Sequence, residues 1–104
     1  MEVCSPFPDV MKTIRKLDKH MSAKVMGILY FLEVHGSLLG MPDSKMIERN
    51  LFELRITKPI HVRLMYMFYE ERAIILSIFL KKSEKIPQYE LKLARTRKRS
   101  IEGR

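Results

Sequence analysis

Three stretches of the chain carry cationic side chains at spacings that suit phosphate chemistry. "LFELRIT" (51–57) holds Arg55, "HVRLMYMFY" (61–69) holds His61 and Arg63, and "FLKKSEKIP" (79–87) holds Lys81, Lys82 and Lys85. The first two alternate apolar and polar residues, as half-buried strands do. The third leaves the apolar run "AIILSIFL" (73–80). Period two sets Arg55 against Phe52, Leu54 and Ile56, and sets His61 and Arg63 against Val62, Leu64, Tyr66 and Phe68. In the third strand Ser77 and Lys81 share a face opposite Ile74, Leu76, Ile78 and Leu80, and Lys82 points away from Lys81. If all the apolar faces pack on helices, Arg55, His61, Arg63 and Lys81 share the other side of the sheet. Two guanidiniums and an ammonium on a rigid sheet hold a phosphate from several sides. That set also suits phosphoryl transfer on RNA. A 2′-hydroxyl must lose its proton, the phosphorane must be neutralised, and the 5′-oxygen must gain a proton. A face of solvated charges has the same parity, and parity alone does not separate the two.

Other chemistries have little to stand on. The chain has no glycine-rich phosphate loop, no Cys/His set with zinc spacing and no legible carboxylate pair. Cys4 has no basic partner in sequence and is expected to be inert. His20 falls at a helix bend, and His35 precedes Gly36, where an imidazolium complements a helix C-terminus. His61 is therefore the one candidate acid or base, and a structural role fits it at least as well. No cofactor and no metal are expected.

These residues need a sheet and something to brace it. Asp9, Val10, Ile14 and Leu17 read as a first helix from Phe7, followed by a bend in "LDKHMS" (17–22). Met21, Val25, Ile28, Leu29 and Leu32 stripe a second helix that Gly36 terminates. The two would form an antiparallel hairpin. "GSLLGMPDS" (36–44) reads as a loop. The three strands follow, with "KP" and "EE" as short links, and Pro87 opens a last helix over 87–99 that ends in "ARTRKR". The expected fold is α+β: two helices on an antiparallel meander of three strands, then a basic helix.

Composition bounds the rest. A chain of 104 residues, 46% apolar and 31% charged, is one ordinary globular domain. Residues 1–99 are read as that domain and 100–104 as a tail, because "IEGR" (101–104) matches a protease site common in engineered fusions. No apolar run is long enough to span a membrane, the N-terminus lacks the order of a signal peptide, and one cysteine forms no intrachain disulfide. A cytoplasmic protein is expected. Residues 1–50 hold 7 basic and 6 acidic side chains, while residues 51–104 hold 13 and 6. A basic half implies a polyanionic partner.

The strand sequences also resemble a known family. "FELRI" (52–56), "VRLMYMF" (62–68) and "IFLKKSEKIPQYELKLA" (78–94) are similar to the core blocks of the HigB-like, often phage-derived branch of the RelE/ParE toxin superfamily. Those blocks run E-L-R, R-x-x-Y-x-F and F-x-K-K-x-x-K-x-P. "LLGMPDSKMI" resembles the approach to the sheet, and the likeness spans about 7–99. It implies the toxin of a type II toxin–antitoxin system, a metal-independent endonuclease that cuts mRNA in the ribosomal A site. It implies a small helix-turn-helix antitoxin as partner. Matching residues are Arg55, Arg63, Lys81 and Lys82, with Lys85 beside them; Arg95, Arg97, Lys98 and Arg99 would meet rRNA backbone. Tyr66 also matches, but its parity turns it to the core. Arg55 and Arg63 would hold the phosphate, Lys81 or Lys82 would serve the 2′- or 5′-oxygen, and His61 would shuttle a proton. A gyrase poison of the ParE type and an inactive phage relic that still binds antitoxin are the rivals. The family opens with a strand, and "MEVCSPFPDV" supplies none, so the sheet is expected to be a strand short. The open edge would be covered by antitoxin or by a second copy in a homodimer.

Overall fold

The computed structural model describes residues 1–103. Its strands are β1 (Glu2–Cys4), β2 (Ser44–Glu48), β3 (Leu51–Ile56), β4 (Val62–Tyr69) and β5 (Arg72–Leu80). Its helices are α1 (Pro8–Lys16), α2 (Lys19–His35) and α3 (Gln88–Glu102). The strands form one sheet in the order β1-β5-β4-β3-β2.

The helices start and stop for local reasons. Pro8 occupies the first position of α1, where its missing N–H costs nothing, and Asp9 follows in the first turn. The expected bend is at Leu17–Asp18. The Asp18 carboxylate there accepts the Met21 N–H at 2.9 Å and caps α2. Gly36 ends α2 with a φ of 55°. Pro87 precedes α3, and the helix runs through Ile101 to Glu102, beyond the expected end at 99. Ile101 is partly buried and packs against the second core. Arg104 of "IEGR" lies outside the described residues.

The meander β3-β4-β5 is antiparallel, as its alternation predicts. Two further strands correct the expectation of three. β1 runs parallel to β5, with Val3 beside Ala73, so the sheet does not lack its first strand. The Ser5 hydroxyl prolongs this contact, donating to the Ile75 carbonyl at 2.7 Å. A three-residue strand is too short to show alternation, and its stability comes from its neighbour. β2 pairs antiparallel with β3 at the end of the stretch read as a loop. It is an edge strand whose Lys45 and Met46 are exposed, so no apolar pattern marks it. The Asn50 side chain joins the ladder, donating to the Phe68 carbonyl at 2.9 Å and accepting its N–H at 3.0 Å.

Both faces of the sheet are covered. α1 and α2 pack Val10, Ile14, Val25, Ile28 and Leu32 on Leu54, Ile56, Val62, Leu64, Tyr66 and Ile75. α3 covers part of the other face, where Leu51, Met65, Met67, Ile74, Leu76, Phe79 and Ala94 form a second core. The cationic face is therefore not an open sheet surface. A register shift explains one parity error. Met65 pairs Ser77 while Tyr66 pairs Ile75, which leaves Leu76 as an extra residue in β5. Ile74 and Leu76 thus face α3, not the α1–α2 side with Ile78. From Ser77 onward the expected parity holds.

Candidate active site

At one end of the sheet the second core stops and charge begins. Arg55 lies near the end of β3, Arg63 near the start of β4, and Lys81 just past β5. In register Arg55 faces Arg63, and Arg63 faces Phe79. Two guanidiniums side by side repel each other. Glu53, one pleat further in on β3, offsets that repulsion. Its side chain is 2% exposed, with Oε2 at 3.7 Å from Arg63 Nε and 4.0 Å from Lys81 Nζ, and Oε1 at 3.7 Å from Arg55 Nε. One buried carboxylate thus serves three cations. Glu53 Oε2 and the Nε atoms of Arg55 and Arg63 are buried without a hydrogen-bond partner among the described residues. The carboxylate holds the cluster by charge at ion-pair distance.

Each cation is held differently. Arg63 is buried, and its Nη1 donates to the carbonyls of Ile56 at 2.9 Å and Val62 at 3.1 Å. Burial lowers its pKa, with Arg55 adding to that effect and Glu53 opposing it. Arg55 is half-buried, and its Nη1 reaches Met41 Sδ at 3.7 Å. Lys81 has an 11% exposed side chain, and its backbone N–H donates to the His61 carbonyl at 2.9 Å. Burial lowers the pKa of Lys81, Glu53 raises it, and Arg63, Arg55 and Lys45 lower it further. A less basic lysine has a larger neutral fraction that can take a proton. His61 Nδ1 is 3.4 Å from Arg63 Nη2. A guanidinium only donates, so Nδ1 accepts and the ring proton sits on Nε2.

Arg55, His61, Arg63, Lys81 and Lys82 line one cleft of about 590 Å³, with Ser83 and Glu84 at its rim. Lys82 is exposed, and Lys85 is exposed outside the lining. Ser77 shares the cationic face but is buried beyond the lining, and Tyr66 sits in the core hydrogen-bonded to Ser44. His20 and His35 lie elsewhere; His35 packs edge-on against Phe31. Among the described residues no three His, Cys, Asp or Glu side chains form a group able to hold a metal ion. Glu53 is the residue sequence reasoning passed over. The signal was present, since period two puts it on the face of Arg55.

The basic residues of α3 stand apart from this cleft. Arg95 makes a two-pronged pair with Glu48, with Nη2 at 2.7 Å and Nε at 3.1 Å from Oε1. Arg97 pairs with Asp9 at 2.9 and 3.0 Å, donates to the Leu76 carbonyl at 2.8 Å and stacks on Phe7. Lys98 pairs with Glu102 at 3.0 Å. Among the described residues Arg99 reaches Thr96 Oγ1, at 3.3 Å. Two of the four side chains thus fasten α3 to other elements, and Lys98 pairs within the helix.

The α+β sheet thus presents two arginines and a lysine around one buried carboxylate at the wall of a cleft. The chain belongs to the family of phage-derived proteins described as Phage derived protein Gp49-like (DUF891), whose model matches residues 12–99. That family is part of the RelE/HigB-like toxins. A comparison with curated proteins finds no match. No described helix is long and apolar enough to cross a membrane.

Proposed function

We propose that the protein is the toxin of a type II toxin–antitoxin system and cuts mRNA in the ribosomal A site without a metal ion. The observation that carries this is the cluster of Arg55, Arg63 and Lys81 on Glu53 at the wall of an open cleft. A phosphodiester bears one negative charge and its phosphorane two. Three cations on one carboxylate leave a matching excess, and desolvation by the sheet strengthens the attraction. Arg55 and Arg63 neutralise the phosphorane. Lys81, with its lowered pKa, takes the proton of the 2′-hydroxyl as that oxygen attacks phosphorus. The bond to the 5′-oxygen breaks, Lys82 at the mouth supplies its proton, and a 2′,3′-cyclic phosphate remains. His61, with Nδ1 turned to Arg63, donates from Nε2 to a phosphate oxygen, the position from which it would also shuttle a proton. Lys85 and Arg99 are left to grip RNA backbone. The partner expected in the cell is a helix-turn-helix antitoxin, as toxin-family membership supports.

Arg55→Ala is a sharper test than Arg63→Ala, because the buried Arg63 also ties β3 to β4. Primer extension on cellular mRNA after induction should give discrete cuts in frame for wild type and none for Arg55→Ala. Intact messages together with broken DNA would favour the gyrase-poison reading and overturn this one.

A further inference from the structure

A second groove, of about 450 Å³, lies on the other side of Arg55. Arg55 lines both, so the two hollows meet at this residue. Lys24, Gly27 and Phe31 of α2 form one wall, and Asp43 and Lys58 lie on the loops flanking β2 and β3. Phe31 is 49% exposed, and His35 packs against it edge to face at 5.9 Å and 88°. An exposed ring braced in this way is a stacking platform. Lys24 Nζ donates to the Lys58 carbonyl at 2.8 Å, which fixes an ammonium at the groove.

Gly27 is the telling residue. It sits inside a 17-residue helix, where glycine weakens the helix relative to alanine. Its φ is not positive, and a Cβ built there meets nothing within 4 Å. Neither backbone conformation nor close packing asks for it. What its missing side chain leaves is an unobstructed groove wall.

We infer that this groove is a nucleotide subsite beside the scissile phosphate. A base of single-stranded RNA stacks on Phe31, and its phosphate lies at the Lys24 ammonium, toward the Arg55 end of the groove. Asp43 is the one carboxylate in the lining, and it suits a base that presents an amino group. The inference deepens the nuclease reading and rests on it for the identity of the ligand.

The test uses the whole purified protein and a short fluorescein-labelled single-stranded oligoribonucleotide, followed by anisotropy. Gly27→Gln fills the groove wall with a good helix former. It should weaken binding by about fivefold or more, the low end for one lost base stack, with no fall in Tm. Phe31→Leu should lose as much, and Phe31→Trp should not. Primer extension on the same variants separates the two ideas. Wild type that binds RNA in this groove without cutting mRNA would sink the nuclease reading and keep the subsite. In-frame cutting with unchanged RNA binding by Gly27→Gln and Phe31→Leu would sink the subsite and keep the nuclease. Unchanged RNA binding with loss of a protein partner on the groove would also overturn it.

Discussion

Glu53 shows how far a single residue can organise a site. It is the buried counter-charge that lets Arg55, Arg63 and Lys81 approach one another. Removing its charge leaves three clustered cations without compensation, two of them largely desolvated. Glu53→Gln should cost about 3 kcal/mol of stability, the scale for breaking a buried ion pair, read as a fall in denaturant midpoint. Glu53→Gln at wild-type stability would mean that the cations do not depend on it. Lys81 allows a test with a defined sign. A base works deprotonated, so cutting should rise with pH through the Lys81 pKa, which burial sets below the ordinary 10.5. Lys81→Arg keeps the charge but not the proton acceptor, and it should flatten that rise in single-turnover cutting of ribosome-bound mRNA. Arg55, Arg63 and Lys81 were legible from alternation, because strand parity survives in β3 and β4; Lys82, expected to point away from Lys81, lines the same cleft because β5 ends at Leu80 and the alternation ends with it. Glu53 escaped notice because an acid seems out of place in a phosphate site until the repulsion between Arg55 and Arg63 is considered.

Elements show where sequence legibility ends. α1, α2, the meander and α3 announce themselves through periodicity and caps. β1 does not, because its pairing with β5 is a tertiary contact of three residues. The extra Leu76 in β5 is equally silent, since an apolar residue on either face of a doubly covered strand looks the same in sequence. The basic end of α3 is the opposite case: its charges are plain, but their partners are 47 and 88 residues away. The pair between Arg97 and Asp9 fastens α3 to α1, and its pH dependence follows. The Arg97 hydrogen bond lowers the Asp9 pKa, desolvation opposes that, and the Arg97 charge lowers it further. A depressed acid contributes stability that is whole above its ordinary 3.8 and is lost as pH falls through the folded value. Asp9→Asn should therefore lower Tm near neutral pH, and the gap from wild type should close in acid. A gap that persists at low pH would assign the effect to packing.

For the whole molecule, the net charge of +8 is a poor guide to where a polyanion sits until the internal pairs are subtracted. Arg72, Arg95, Arg97 and Lys98 each have a carboxylate of their own. The basic side chains that then remain include those of the cleft, Lys82 and Lys85, and the groove beyond Arg55, beside Lys12, Arg15 and Lys16 on α1. Counterion release makes this distribution measurable. Binding of single-stranded RNA weakens with salt with a log–log slope of about −0.7 for each phosphate contacted. Lys82→Ala and Lys85→Ala should each flatten the slope by about 0.7 if each side chain takes one phosphate. Arg95→Ala should leave the slope unchanged, because Glu48 holds that guanidinium in the free protein. Breaking the pair to reach RNA would expose Glu48 to the same phosphates. A slope that responds to Arg95→Ala and not to Lys82→Ala would move the RNA path from the sheet end onto α3, and the cleft would then need another ligand.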